Sequence, residues 1–427
     1  MVSLEEVRSA IVDREKEMDR LFAAEKIVQR ENLPEVGKHV SRGVANLITG
    51  VRRCGKSVFA FQLARGGNFA YVNFEDERLS MEAGELGKVL EAIHSLRGEV
   101  ELLVLDEIQN VPGWERFVAR ILPSRKVLIT GSNARLMSKE LATFLTGRHI
   151  DFALYPFSFR EFLRYKGVEF RREDLYSTEG RARLKGLLEE YLEVGGIPPA
   201  LKFGRIFLVE NFRDIVERDV VQRYGVRYPS KLRELARYLI SNPSCEITYS
   251  RLRNMLGVGS VGTVSDWVSY LESSYLLFKL ERFSPRLRES MLAPKKIFSI
   301  DTGLSNAVGF RLSENRGKAM ENVVAVELLR RRDYWRREWE VFYWKDYRQR
   351  EVDFVVKEGA RVRQLIQVCW EVTPDAERRE IGSLLAAMEE FGLKEGLVLT
   401  FDQEGEQAID GRRVIYRPLW RWLLEAP

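Results

Sequence analysis

The sequence predicts an α/β protein of several domains, and three observations support that fold class. Between residues 44 and 154, short apolar strands alternate with helices, which is typical of a parallel sheet. Residues 231–300 have a different pattern, in which three helices precede two strands. From about residue 315, a further series of strands and helices follows. A chain of 427 residues has the length of about two to four domains.

Bulk composition excludes several classes of protein. The net charge of +5 is mildly basic, which is compatible with nucleic acid as a partner but does not identify it. Cys54, Cys245 and Cys369 are far apart and odd in number, so neither a disulfide framework nor a zinc site is indicated. No apolar run has membrane-spanning length, and the N-terminus does not resemble a signal peptide. We therefore expect no membrane association and a reducing cytoplasm.

The elements of the first half can be predicted in chain order. Ser3 and Glu6 have the spacing of a capping box, which opens a charged helix over residues 3–32. The helix is expected to end at Asn32-Leu-Pro34, and residues 155–225 are again helical, with an interruption at Gly195–Pro199. Between these helical parts, five apolar runs predict the strands of the sheet: Ala45–Thr49, Phe69–Phe74, Glu101–Leu105, Lys126–Thr130 and Ile150–Leu154.

The first predicted strand leads into a glycine-rich turn, GVRRCGKS, and then into an apolar helix over Ser57–Ala64. Glycines at both ends of the turn allow backbone N–H groups to face an anion, and the helix N-terminus adds partial positive charge. Lys56 can reach the outer phosphates of a nucleotide, and the Ser57 hydroxyl can ligate Mg²⁺. The residues predicted to bind the nucleotide are Gly50, Val51, Arg52, Arg53, Cys54, Gly55, Lys56, Ser57 and Val58.

The segment LLVLDEIQN places two acidic residues at the carboxyl end of a buried strand. Ligands of open α/β sheets bind at that end. Asp106 is therefore predicted to hold Mg²⁺ together with Ser57, and Glu107 to polarise a water for attack on the γ-phosphate. The spacing from the glycine-rich turn allows one further strand between the two, and ATP with Mg²⁺ is the expected ligand.

Three further residues are candidates for the same site. The next strand ends in TGSN, where Ser132 or Asn133 could orient the attacking water, although Gly-Ser-Asn is also ordinary turn chemistry. Arg148 is the best basic candidate to neutralise charge in the transition state, either within the chain or across a subunit contact. The second option would require a homo-oligomer. A simple surface arginine remains the alternative.

Residues 231–300 have the pattern of a winged helix-turn-helix, with helices at Lys231–Ser241, Ser250–Leu256 and Val261–Ser274 before strands Leu276–Phe283 and Lys295–Ile300. The third helix, which usually enters DNA, has acidic residues and no lysine or arginine. Contact with a phosphate backbone, or with a protein instead, is therefore open. The basic residues proposed for DNA lie elsewhere in this region: Arg251, Arg253, Lys279, Arg282, Arg286, Arg288, Lys295 and Lys296.

Several strings occur in one order over nearly the whole chain from about residue 40: GVRRCGKS, VNFEDERL, LLVLDEIQNVPGWE, LITGSN, LTGRHIDFALYPFSFREFL, IFSIDTGL, ENVVAVELLRRR and EVDFVV. In this order the chain resembles archaeal and bacterial AAA-type ATPases, of the ASCE division of P-loop ATPases, that carry a winged helix and a C-terminal domain of restriction-endonuclease type. The resemblance implies a role for each residue singled out above, namely Lys56 and Ser57 in the loop, Asp106 and Glu107 as the acidic pair, Ser132 or Asn133 as sensor, and Arg148 as finger.

The C-terminal part resembles the PD-(D/E)xK nuclease fold, which needs two strand acids, a lysine and often a helical glutamate around Mg²⁺. Glu321 lies on the predicted helix Glu321–Arg332, and Asp353 lies in the predicted strand Val352–Val356. On the next strand, however, Gln367 and Cys369 stand where the second acid and the lysine belong. A lysine from elsewhere, for example Lys357, could replace the missing one, but the sequence does not require it. We therefore expect a degenerate nuclease module.

The predicted organisation combines these parts. A helical segment (1–40) precedes the P-loop core (41–154), a helical lid (155–230), a winged helix-turn-helix (231–300) and a nuclease-like domain (301–427). The leading hypothesis is an Mg²⁺-dependent ATPase whose hydrolysis switches the later modules, acting on or near DNA. A nucleotide-bound adaptor for protein partners, with little turnover, is a second hypothesis. An ATP-dependent DNA nuclease is a third.

Overall fold

A computed structural model describes residues 2–132, 145, 147–309, 316–374 and 377–425. The chain forms two units, one made of Met1–Tyr155 with Ser273–Tyr275, the other of Pro156–Glu272 with Leu276–Pro427. Within the described ranges, no helix combines the length and the apolar character needed to cross a membrane.

The first unit contains a five-stranded parallel sheet, as predicted. Its strands are β1 Ala45–Thr49, β2 Phe69–Asn73, β3 Leu102–Asp106, β4 Lys126–Gly131 and β5 His149–Ala153. The strand order is β2-β3-β4-β1-β5, and every pair is parallel. Strand β4 therefore lies between β1 and β3 in the sheet. The strand that the chain spacing between Ser57 and Asp106 allows is β2, which lies at the edge of the sheet beside β3. The five residues of β1 are all buried, as is usual for a strand covered on both faces.

The described helices of the first unit are α1 Leu4–Ala24, α2 Leu33–His39, α3 Lys56–Ala64, α4 Gly87–Arg97 and α5 Trp114–Ile121. The capping box is present, because the Glu6 amide donates to Ser3 Oγ and the Ser3 amide donates to Glu6 Oε2. The predicted length of α1 was wrong, since the helix ends at Ala24. Pro34 does not end a helix but stands in the first turn of α2, where a missing N–H costs nothing.

The second unit begins with helices, as predicted. They are α6 Phe159–Lys166, α7 Thr178–Val194 and α8 Ala200–Asp214, which continues into a π-helical stretch at Ile215–Gln222. The predicted interruption is present. The amide of Gly195 closes α7 by donating to the Tyr191 carbonyl, and Pro199 is the N-cap of α8.

The next part of the second unit has three helices, α9 Pro229–Ser241, α10 Tyr249–Leu256 and α11 Val261–Ser273. A three-stranded antiparallel sheet accompanies them, with the order β6-β8-β7. Its strands are β6 Cys245–Ile247, β7 Leu277–Leu280 and β8 Lys295–Ser299. The predicted hairpin thus has a third strand, and a short helix, α12 Leu287–Leu292, lies between its two strands.

The C-terminal part has a six-stranded mixed sheet with the order β13-β14-β12-β11-β10-β9. The strands are β9 Trp339–Lys345, β10 Glu351–Glu358, β11 Arg361–Val368, β12 Glu395–Thr400, β13 Gly405–Ile409 and β14 Arg412–Pro418. The helices described here are α13 Thr302–Val308, α14 Arg316–Trp335, α15 Gly382–Phe391 and α16 Leu419–Leu424. The sequence did not predict β13, β14 or α16. Strand β13 is mostly exposed and polar, so it lacks an apolar pattern.

Candidate functional site

The glycine-rich turn connects β1 to α3, and its backbone requires glycine at both ends. Gly50 has φ +150°, and a Cβ there would collide with the Leu154 carbonyl oxygen. Gly55 has φ +97°, and Arg53 also has a left-handed backbone, with φ 68°. Alternation of left-handed and ordinary residues turns successive N–H groups to one side, which makes an anion-binding concavity. The backbone is therefore shaped as the motif predicts.

The side chains of the turn divide into two sets. Val51 and Cys54 are buried and anchor the turn to the core, whereas Arg53 is exposed. Lys56 is the first residue of α3, and its ammonium group lies inside the turn. Its Nζ donates to the Gly50 carbonyl at 3.1 Å and to the Val51 carbonyl at 3.2 Å. A positive charge and a helix N-terminus thus occur at one point, as phosphate binding requires.

Asp106, the last residue of β3, lies at the centre of a group of hydroxyls. Ser57 Oγ donates to Asp106 Oδ1 at 3.0 Å. Tyr71 in the middle of β2 and Thr130 near the end of β4 also donate their hydroxyls to this carboxylate. Asp106 is only 1% exposed, so these hydroxyls replace water around a buried charge. The predicted pair of Ser57 and Asp106 is brought together by this arrangement.

Glu107 follows with an unusual backbone conformation, φ 54°. Its amide donates to the Thr130 carbonyl and to Thr130 Oγ1, both at 3.2 Å, which fixes the turn after β3. Burial raises the pKa of the Glu107 carboxyl, while nearby Lys56 acts in the opposite direction. The Gln109 amide donates to the same carboxyl. A carboxylate with a raised pKa, held beside the glycine-rich turn, has the character of a general base.

Sequence reasoning missed Tyr71 and Thr130, which contact Asp106, and two arginines near the turn. Tyr71 is fully buried, and burial and the Asp106 carboxylate raise its pKa. Arg30 donates to the Cys54 carbonyl at 2.9 Å and so ties the segment after α1 to the turn. Burial acts to lower the pKa of Arg14, but the neighbouring Tyr71 and Asp106 side chains raise it on balance. The strand-end position of Thr130, in TGSN, was the only signal in the sequence.

The donor set fits a magnesium nucleotide. Mg²⁺ prefers oxygen ligands and is usually held by one or two protein groups together with substrate phosphates. The hydroxyl of Ser57 and the carboxylate of Asp106 are adjacent oxygens of this kind, and Lys56 Nζ lies at the same end of the sheet. Side chains of this type would hold Mg²⁺ against the phosphates that the turn accepts.

The remaining predicted residues differ in their outcome. Ser132 is buried just beyond β4, at the same end of the sheet as the acidic pair. Asn133 lies outside the described residues. Arg148 immediately precedes β5, at the amino-terminal end of the parallel strands, whereas the acidic pair lies at their carboxyl-terminal end. His149 pairs with Ala45 at the start of β1, whereas the phosphate turn begins after Thr49, roughly 15 Å away at the length of a strand. Parallel pairing thus places Arg148 at the end of the sheet opposite to the glycine-rich turn, which argues against its action within one chain.

The predicted nuclease remnant is only partly assembled. Glu321 on α14 and Asp353 on β10 are both held by a buried lysine, Lys296. Gln367 Oε1 accepts from the Asp353 amide at 3.3 Å, and the Cys369 thiol donates to the Glu371 carbonyl. Lys357 pairs with Glu340 at 2.8 Å, so it is not the missing lysine. Burial and the neighbouring Asp353 carboxylate raise the pKa of Glu321.

The basic residues proposed for contact with DNA are exposed in only part of the set. Three lysines of the set have ammonium groups that are engaged within the fold. Lys279 pairs with Glu272 at 2.7 Å, and buried Lys295 donates to the Ser290 carbonyl at 2.7 Å. Lys296 pairs with Glu321, Glu351 and Asp353. The other five are exposed or partly exposed: Arg251, Arg253, Arg282, Arg286 and Arg288.

Comparisons with known proteins support the prediction of an AAA-type ATPase domain in this chain. A family described as an AAA domain matches residues 43–163. Two families described as domains of unknown function, DUF8612 and DUF4143, match residues 185–316 and 316–420. The chain is 32% identical over 398 residues to the uncharacterized protein MJ1544 of Methanocaldococcus jannaschii, and the match covers 88% of this chain and 88% of the relative. An uncharacterized protein of Haemophilus influenzae is 29% identical over 423 residues, 93% of this chain and 99% of the relative.

Among solved structures, the replication initiator DnaA bound to AMPPCP and single-stranded DNA has 19% identity and a TM-score of 0.24. The match covers 57% of this chain and 86% of that one. At this score, the similarity is too low to bear on the function of the chain.

Proposed function

Since the chain belongs to the same family as MJ1544 and carries an AAA domain, we propose that it is an Mg²⁺-dependent ATPase that works as a nucleotide-driven switch. The observation that carries the proposal is the contact of Ser57 Oγ with Asp106 Oδ1 at 3.0 Å, beside Lys56 and Glu107. These four residues come from α3 and the end of β3, and together they supply the charges and oxygens that a magnesium triphosphate needs.

Each side chain has a distinct task in this proposal. The backbone between Gly50 and Gly55 cradles the phosphates, and Lys56 neutralises their charge. Ser57 and Asp106 would hold Mg²⁺, which would supply positive charge against the phosphates when bound. Glu107 takes a proton from the attacking water. Thr130 fixes the directions of Asp106 and Glu107 through its hydroxyl.

The switch is proposed to act on the later modules. We assign these as a lid at 155–230, a winged helix at 231–300 and a degenerate nuclease-like domain at 301–427, after a helical segment at 1–40 and the core at 41–154. Bound ATP would favour one arrangement through contacts that phosphate release removes.

The first experiment compares ATP turnover by the parent with that of Glu107→Gln. We expect turnover to fall by about 100-fold or more while ATP binding persists, because the amide cannot accept a proton. Glu101→Gln is the matched control. Glu101 immediately precedes β3, at the opposite end of the strand, and is paired with Lys126 at 2.6 Å. Equal phosphate release by Glu107→Gln and the parent would instead support an adaptor that binds nucleotide with little turnover.

DNA as the partner is the second part of the proposal, and the exposed arginines of residues 231–300 favour it. Arg251 is exposed on α10, and Arg286 and Arg288 are exposed next to and within α12. Such residues can follow a phosphate backbone without reading bases. ATP turnover with and without single- and double-stranded DNA, at several salt concentrations, tests this role. Stimulation that disappears as salt rises would support it, and no stimulation in any form would exclude it.

A further inference from the structure

A buried lysine in the second unit has three carboxylates around it. Lys296, on β8, is 3% exposed. Its Nζ lies 2.6 Å from Glu351 Oε1, 2.9 Å from Glu321 Oε1 and 3.2 Å from Asp353 Oδ1. Glu321 belongs to α14, and the other two belong to β10. A lysine ammonium has three N–H donors, so one carboxylate can accept each of them.

The second carboxylate oxygens of Asp353 and Glu351 also have partners. The second oxygen of Asp353 accepts from the Val368 amide at 2.9 Å, and the second oxygen of Glu351 lies 3.3 Å from Lys345 Nζ. Lys345 in turn pairs with Glu246 of β6 at 2.9 Å. Positive charge from two lysines thus partly offsets the acidic side chains.

This arrangement does not fit the metal that the nuclease resemblance implies. Mg²⁺ needs its oxygen ligands at about 2.0–2.1 Å, in the space that the ammonium group fills here. Gln367, at the place of the second acid, is a neutral side chain that contacts the Asp353 amide instead. Among the described residues, no group of three or more His, Cys, Asp and Glu side chains is arranged to hold a metal ion.

We propose that Lys296 is the permanent cation of this acidic cluster, in place of a metal, and that it clamps β8 to α14 and β10. The clamp joins the small three-stranded sheet to the C-terminal sheet inside the second unit. A backbone bridge between Arg282 and Tyr343 joins the same two parts, as does the Tyr343 hydroxyl, which donates to the Pro294 carbonyl at 2.7 Å. Any movement of this sheet is therefore passed on to the C-terminal domain as one body, and the module does not cleave nucleic acid.

Binding of Mn²⁺, followed by electron paramagnetic resonance without nucleotide, tests the clamp. The parent and Asp353→Asn should bind Mn²⁺ equally, because the lysine excludes the ion from the cluster. Lys296→Met leaves three carboxylates facing one another, so it should gain one further Mn²⁺ site. That site should disappear in the double variant Lys296→Met/Asp353→Asn, and Mn²⁺ should raise the melting temperature of Lys296→Met alone.

Lys357→Met is the matched control, since Lys357 lies on β10 with Glu351 and Asp353 but pairs with a single carboxylate, that of Glu340. It should gain no Mn²⁺ site. The clamp is contradicted if Lys296→Met binds no more Mn²⁺ than the parent. It is also contradicted if the parent has an Mn²⁺ site that Asp353→Asn removes. The second comparison needs only variants that keep Lys296, so it decides the matter even if Lys296→Met does not fold.

Discussion

At the scale of single residues, Asp106 determines how the candidate site is organised. Three hydroxyls, from Ser57, Tyr71 and Thr130, converge on its two oxygens. Of these, Ser57 belongs to the glycine-rich turn, and its hydroxyl has a second role as a proposed metal ligand. Tyr71 and Thr130 come from the neighbouring strands on either side of β3, so they position the carboxylate rather than take part in chemistry.

Thr130→Val tests that positioning role. Valine has the shape of threonine but lacks the hydroxyl that donates to Asp106 and accepts from the Glu107 amide. Loss of a buried hydrogen bond to a charged group should lower ATP turnover by about 10-fold, with ATP affinity changed much less. Steady-state kinetics and calorimetry measure the two effects.

Thr400→Val is the control for this substitution. Thr400 is a fully buried threonine at the end of β12, whose hydroxyl donates to the Gln403 carbonyl at 2.5 Å. Its replacement removes a buried threonine hydroxyl far along the chain from the ATPase domain, so turnover should not change. An unaltered turnover in Thr130→Val as well would remove Thr130 from the site.

How far the sequence could predict the site depends on the origin of each residue. Gly50 to Ser57 form one continuous segment whose local pattern specifies its own backbone, so the turn was found. Tyr71 and Thr130 reach Asp106 only because of the strand order, which no local pattern specifies. Lys296 was assigned to a basic surface because two adjacent lysines in KKIFS do not reveal that every residue of this strand is buried.

At the scale of elements, the junction between α7 and α8 depends on two glycines and a buried aspartate. Asp301 Oδ2 accepts from the Gly196 amide at 2.6 Å, and Asp301 Oδ1 accepts from the Leu304 amide at 3.0 Å as the N-cap of α13. Burial raises the pKa of Asp301 to about 6, although these amides act in the opposite direction. Gly195 has φ +74°, and a Cβ there would overlap the Asp301 carboxylate.

Gly195→Ala should therefore destabilise the second unit. The substitution combines a left-handed backbone with a collision against a buried carboxylate, so we expect a loss of at least about 2 kcal/mol. Differential scanning calorimetry would detect it as a lower melting temperature.

The control is Gly186→Ala, at a position inside α7 where a Cβ has no neighbour within 4 Å. Alanine favours the helix there, so stability should be unchanged or higher by up to about 1 kcal/mol. If both variants melted at the same temperature, the proposed role of the Gly195 junction would be wrong.

At the scale of the whole molecule, Arg148 raises the question of assembly. It lies at the amino-terminal ends of the parallel strands, whereas Lys56 and Glu107 lie at their carboxyl-terminal ends. If Arg148 contributes to catalysis, it must act on the site of a second copy. An arginine supplied across a subunit contact can increase turnover by about 1,000-fold or more.

Mixing two inactive variants tests this arrangement. Arg148→Ala keeps a complete nucleotide site, and Lys56→Ala keeps Arg148. Each should be inactive alone, and a mixture should recover part of the turnover at protein concentrations where copies associate. Arg42→Ala, at an exposed arginine at the same edge of the sheet, should stay active throughout. Full activity of Arg148→Ala, or no recovery on mixing, would exclude action across subunits.

The central claim is that the backbone from Gly50 to Ser57 holds a triphosphate with Lys56 as its counter-charge. Isothermal titration calorimetry of ATP with Mg²⁺ tests it most directly, on the parent, on Lys56→Ala and on Lys38→Ala as an exposed control paired with Glu35. We predict tight binding to the parent and to Lys38→Ala, and affinity weaker by about 100-fold or more in Lys56→Ala, because a buried charge-assisted contact is lost. Equal affinity of all three proteins for ATP would contradict the claim.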